Sequence, residues 1–142
     1  CDLRYASADA AFSLKEADLA IVADVGSLQR LPHLIGEGQV RELALTARQF
    51  DAAEAQSMGL LNRVYPDHDA LRDNVQAMAA TIAAKSPLTV RGIKQALNYG
   101  RDHRVADGLE QVATWNAAML LSADTQEAIA AAMQKRQPQF AD

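Results

Sequence analysis

A chain of 142 residues with 49% apolar and 23% charged side chains can bury roughly 70% of the surface its unfolded form exposes, so one folded domain with a real core is expected. The formal net charge is −4 and no stretch is dominated by Lys and Arg, which argues against nucleic acid as a partner. The single cysteine, Cys1, excludes an internal disulfide, and no apolar run approaches the ~18 residues of a membrane span; a soluble, cytoplasmic protein with no membrane partner is expected.

The chain opens without Met, directly in Cys1-Asp2-Leu3-Arg4-Tyr5, which reads as the end of a strand whose upstream half is missing. Ala11 to Lys15 alternates loosely around Phe12 and Leu14, predicting a short strand that ends at Glu16. The apolar run Leu19–Val22 follows, and Asp24 then precedes Val25, Leu28 and Leu31 at spacing three, the stripe of a short helix with Asp24 near its N-terminus. A helix is predicted from Gly38 to Ala47. Asp51 followed three places later by Glu54 has the form of a capping box, so a two-turn helix is expected to start there and stop at Gly59. Leu60–Tyr65 predicts a strand, and Leu71, Val75, Met78 and Ile82 mark a long amphipathic helix over His68–Lys85. Pro87 separates it from a helix ending near Gly100, and two more are expected over Val105–Leu121 and Asp124–Lys135.

Two carboxylates stand out as candidate chemistry, Glu16 and Asp24, each at the edge of a short element beside apolar sequence. Such a group tends to have a raised pKa and can exchange protons near neutrality, which suits proton abstraction next to a carbonyl. The plain alternatives are a surface acid at Glu16 and a helix cap at Asp24. His33, His68 and His103 share no chelating spacing, so no metal site is expected. The Lys135-Arg136 pair sits at a helix C-terminus, where the backbone dipole already favours positive charge.

Several segments together resemble the crotonase (enoyl-CoA hydratase/isomerase) superfamily over essentially the whole chain. Thr46-Ala47-Arg48, Asp51-Ala52-Ala53-Glu54-Ala55 and Gly59-Leu60-Leu61-Asn62-Arg63-Val64 are similar to its "tGr…daeeA…GLvnrV" segment. Gln29-Arg30-Leu31-Pro32 with Ile35-Gly36, and Ser86-Pro87 with Lys94, resemble two of its helices. Lys15 to Gly26 (KEADLAIVADVG) resembles the "kEvDvglaaDvG" motif of the dienoyl-CoA isomerases, whereas hydratases normally carry glycine at the place of Asp24. Arg101-Asp102-His103 and Val112 to Asn116 point to the same subfamily.

The resemblance implies an α/β fold: the C-terminal part of a crotonase-like ββα spiral over residues 1–66, then a helical trimerisation region over 67–142. It implies conversion of a 3,5-dienoyl-CoA to the 2,4-dienoyl-CoA by moving a proton from C2 to C6, with Asp24 facing C2 and Glu16 facing C6. Enoyl-CoA hydration, and a non-catalytic fragment that only assembles, are the alternatives. The resemblance further implies an acyl-CoA substrate, no cofactor or metal, and a homotrimer or dimer of trimers with Trp115 against a neighbouring subunit. Lys135 falls where some relatives contact the CoA phosphate. The oxyanion-hole N–H groups and a third acid would lie upstream, so the 142 residues alone are expected to be inactive.

Overall fold

The computed structural model describes residues 1–141. The chain falls into two compact units, Cys1–Gln76 and Ala77–Asp142.

In the first unit, β1 (Tyr5–Ser7) and β2 (Ala11–Phe12) are followed by a 3-10 turn at Glu16–Leu19, α1 (Ser27–Arg30), a second 3-10 turn at Leu31–His33 and α2 (Glu37–Thr46). Next come β3 (Phe50–Asp51), α3 (Ala52–Ser57), β4 (Arg63–Tyr65) and α4 (His68–Ala83), the helix that contains the division between the units. β1 pairs in parallel with β4, Ala6 opposite Val64, and β2 pairs antiparallel with β3, Phe12 opposite Phe50. Both pairings are non-local and bring their side chains together over one core of Ala6, Ile35, Val40, Leu43, Phe50, Ala52, Ala55 and Leu61. The Phe12 and Phe50 rings stack at 5.6 Å between centroids. Arg4 ties the entry of β1 to the β4 side, its Nε donating to the Leu60 carbonyl at 2.5 Å.

Several expectations need correction here. The strand expected over Ala11–Lys15 pairs only at Ala11–Phe12, because the antiparallel partner β3 is two residues long. The helix expected through Leu31 is α-helical only to Arg30, and a 3-10 turn with Pro32 in its first positions, a residue with no N–H to give, carries the chain on. At α3 half of the capping box forms: Asp51 Oδ1 accepts from the Glu54 N–H at 2.8 Å. The Glu54 carboxylate does not reach back to Asp51 but takes Arg48 in a two-pronged pair, at 2.5 and 3.0 Å. A guanidinium that satisfies both carboxylate oxygens at once outcompetes a single backbone N–H.

The second unit is helical: α5 (Pro87–Gly100), α6 (Val105–Met119) and α7 (Ala123–Met133). Ser86 caps α5, accepting from the Thr89 N–H at 3.1 Å, with Pro87 at the first helical position. The same hydroxyl donates to Asp124 in the first turn of α7 at 2.5 Å. α5 packs on α6, with the Trp115 indole over Gly92: a Cβ at Gly92 would lie 2.6 Å from Trp115 Nε1. The Trp115 indole is half-buried against α5, a helix of its own unit.

Leu19, Val22, Val25 and Leu45 in the first unit and Leu97, Leu109 and Met133 in the second are each more than 60% exposed. These side chains have no covering partner within their own unit. Among the described residues no helix is long and apolar enough to cross a membrane.

Candidate active site

The segment that carries both acids is anchored at its start. Ser13 Oγ and Lys15 Nζ both donate to the Ala47 carbonyl, at 2.9 and 3.3 Å, at the C-terminal end of α2 where Ala47 turns left-handed with φ of 50°. Lys15 also pairs with Asp18 at 3.1 Å on the surface, which leaves Glu16 to begin the 3-10 turn. Ala20 then adopts φ of 57°, and the Ile21 N–H bonds back to the Glu16 carbonyl at 3.1 Å. The chain therefore reverses between the two acids. Ala23 is buried, and Asp24 beside it is exposed.

Asp24 does not cap the helix that follows. The N-cap of α1 is Gly26, at φ of 92°, and no side chain caps it. The Arg30 guanidinium lies over this glycine, where a Cβ would meet Nη1 at 3.1 Å, and it donates to the Val25 carbonyl at 3.4 Å. Arg30 closes the turn that presents Asp24, a role that its place in the sequence does not signal, because the contact depends on the left-handed Gly26. Among the described residues neither Asp24 nor Glu16 has a side-chain hydrogen bond or ion pair.

Glu16 stands in the wall of a cavity of about 380 Å³, together with Ala17, Ile21, Val22 and Ala23 on one side and Val40, Ala44 and Leu45 of α2 on the other. The other charged groups in that wall, Glu37 and Arg41, are paired with each other at 2.5 Å. Asp24 is not part of the lining; it follows directly on Ala23, which is. A cavity of about 360 Å³ between α5 and α6, lined by Gln95, Gln111, Trp115 and Asn116 among others, holds no titratable side chain and cannot move a proton. Lys135 lies in the second unit, just past the end of α7, exposed and at φ of 53°. Among the described residues no group of three His, Cys, Asp or Glu side chains could hold a metal ion.

Known proteins share this sequence and fold. The family model for enoyl-CoA hydratase/isomerase matches residues 1–142. The chain is 52% identical over 141 residues to the peroxisomal Delta(3,5)-Delta(2,4)-dienoyl-CoA isomerase of Arabidopsis thaliana, covering 99% of this chain and 51% of that protein. It is 46% identical over 140 residues to the mitochondrial enzyme of the same name from Dictyostelium discoideum, covering 99% and 48%. The crystal structure of enoyl-CoA hydratase from Bacillus anthracis superposes with a TM-score of 0.94 at 35% identity, over 99% of this chain and 54% of that one. The chain thus spans about half the length of the relatives it matches; these shares give the extent of the match and not the C-terminal placement that the resemblance implies. The expected cytoplasmic location is overturned, since the isomerases it is similar to are named peroxisomal and mitochondrial. A family model matched along the whole chain establishes that the chain belongs to the enoyl-CoA hydratase/isomerase family, and so to a family of enzymes.

Proposed function

We propose that this chain carries the two proton-transfer carboxylates of an acyl-CoA isomerase that converts 3,5-dienoyl-CoA to 2,4-dienoyl-CoA. The observation that carries the reading is the pair itself: Glu16 unpaired in the wall of an apolar cavity, and Asp24 unpaired at its edge and free of any capping duty. Higher identity to the isomerases than to the hydratase supports it. In the proposed step Asp24 takes the C2 proton, the electron pair moves into the C2–C3 bond, the two double bonds shift along the chain, and Glu16 delivers a proton to C6. The thioester oxygen carries the transient charge and needs two backbone N–H donors, which this reading assigns to residues outside these 142. Neither metal nor cofactor enters the chemistry. The helical residues 67–142 would serve assembly into a trimer or a dimer of trimers, and Lys135 would meet the CoA phosphate.

The test is the absorbance change as the diene enters conjugation, followed for the complete enzyme beside a thermal melt. Asp24→Asn and Glu16→Gln should each lower isomerisation at least ~10²-fold, the scale of a general acid or base, with melting unchanged. Because Asp24 lies outside the cavity lining, a hydratase that works through Glu16 is the second reading. It predicts that Asp24→Asn is tolerated and that enoyl-CoA hydration is the faster activity. Near-normal isomerisation by a folded Asp24→Asn enzyme sinks the isomerase mechanism.

A further inference from the structure

α2 ends without a basic residue in its last turn, although the carbonyls that a helix leaves unpaired there favour a cation. Ala47 closes the helix in the left-handed region, buried, and its carbonyl accepts from Ser13 Oγ at 2.9 Å and Lys15 Nζ at 3.3 Å. The cation thus arrives from 32 residues earlier in the chain. An ammonium has three donors, and Lys15 gives a second one to Asp18 Oδ2 at 3.1 Å, in the 3-10 turn. The Lys15 side chain therefore spans from the end of α2 to that turn, and Glu16 lies inside the loop so closed. Backbone bonds seal the same turn, from the Asp18 N–H to the Lys15 carbonyl and from the Ile21 N–H to the Glu16 carbonyl, both at 3.1 Å.

α2 is the fixed side of this bridge. Its Val40 and Leu43 are buried in the core, and Val40, Ala44 and Leu45 form the cavity wall opposite Glu16. Ser13 pins the entry of the segment to the same carbonyl, ahead of Glu16, whereas Lys15 reaches past it to Asp18. The Lys15 and Asp18 side chains are 58% and 55% exposed, and a pair so open to water adds little to stability. Its consequence is geometric, since a misplacement of about 1 Å in a reacting group can cost ~10²-fold in rate.

We propose that Lys15 and Asp18 are positioning residues: the ammonium that ties the end of α2 to the turn sets how the Glu16 carboxyl stands in the cavity, and with it the delivery of the proton to C6. The inference rests on the isomerase reading for the role of Glu16. Neither residue touches the substrate; both act through the backbone on either side of the acid.

The experiment follows the complete enzyme in heavy water, reading by mass spectrometry the deuterium gained at C2 of recovered 3,5-dienoyl-CoA beside the formation of 2,4-dienoyl-CoA. An enolate that is not protonated at C6 is protonated again at C2, so the ratio of exchange to isomerisation reports delivery by Glu16. Lys15→Met should lower kcat about tenfold with KM little changed and raise that ratio by a similar factor, with melting close to the parent's. Lys15→Arg, whose donors can reach both oxygens, should restore most of the loss. Asp18→Asn keeps the bond to Ala47, so it should fold, shift the ratio the same way by about threefold and add little to Lys15→Met. Ser13→Ala, which removes the other bond to Ala47, should lower melting yet leave the ratio at the parent's. The proposal is overturned if folded Lys15→Met or Asp18→Asn enzyme keeps the parent's ratio, if exchange and isomerisation fall alike, or if Ser13→Ala raises the ratio as much as Lys15→Met. Each of those results leaves the isomerase reading standing. A parent that neither exchanges C2 nor isomerises, or a Glu16→Gln enzyme that loses C2 exchange as well, removes that reading and this inference with it.

Discussion

Gly92 tests the packing of the helical unit through a contest of two effects of opposite sign. In the interior of α5 an alanine is preferred over glycine by about 1 kcal/mol on backbone grounds alone. At this position, however, the new Cβ would stand 2.6 Å from Trp115 Nε1, 2.7 Å from Cε2 and 3.0 Å from Cζ2. Ordinary carbon contacts lie near 3.5–4.0 Å, so the indole must retreat as a rigid body by about 1 Å. Overpacking of this kind typically costs about 1–3 kcal/mol, and the half-buried ring, with the neighbouring cavity to move into, belongs in the upper half only if α6 cannot follow it. The expected balance for Gly92→Ala is a net loss of about 1 kcal/mol. Gly108→Ala, inside α6 with nothing within 4 Å of its Cβ, has no such opposition and should gain about 0.5–1 kcal/mol. In a Trp115→Leu background Gly92→Ala should lose its cost, a coupling of about 1–2 kcal/mol in the double-mutant cycle. Urea unfolding of the four variants at constant m-value reads all of these quantities. Should Gly92→Ala stabilise as much as Gly108→Ala, or cost the same with leucine at 115, the packing of Trp115 on Gly92 is wrong.

At Ser86, replacement by alanine removes both the α5 cap and the bond to Asp124, and a loss of about 1–2 kcal/mol is expected in the same assay; Ser86→Thr should recover most of it, and a silent Ser86→Ala would contradict the double role of the hydroxyl. Acid stability should depend on Glu127, whose carboxyl is held down from 4.5 to about 2 by Arg136 first and by the Gln139 N–H second. The unfolded chain takes up the proton first, near 4.5, so this contribution is complete above that pH, declines below it and is gone near pH 2. Glu127→Gln should flatten the stability profile across that window, and a profile identical to the parent's would count against the pair. Arg48 lowers Glu54 with the same sign, so Arg48→Met should reduce stability chiefly above about pH 4.5 and, like Glu127→Gln, flatten its fall on acidification, the two curves converging at low pH.

The helices could be read from the sequence because their signals are local. Pro87 and Gly100 bound α5 where spacing and breakers placed them, and α4 runs from His68 to Ala83 along its apolar stripe. What could not be read depends on contacts that no period encodes. The reversal at Ala20 uses a left-handed alanine, which carries none of the glycine signal that marks such a turn at Gly59. Glu54 has the spacing of a capping box but is claimed by Arg48, which arrives from the other side of β3. Glu127 and Arg136 lie nine residues apart, at no helical spacing, and meet only because the chain turns back after α7.

The candidate site divides along the same line. Residue types and their apolar setting raised Glu16 and Asp24, but they left each with an ordinary alternative, and for Asp24 that alternative was a helix cap. The fold removes it, because Gly26 starts α1 and Arg30 closes the turn over it, leaving Asp24 with no structural duty. It also shows where the intervening apolar residues go: Leu19, Ile21 and Val22 face outward, and Ile21 and Val22 form part of the cavity wall beside Glu16. Exposing these side chains costs about 25 cal/mol for every Å² of apolar surface left in water. That cost is recovered only when something apolar covers them, and an acyl chain passing the two acids would do so while excluding the water that competes for their protons.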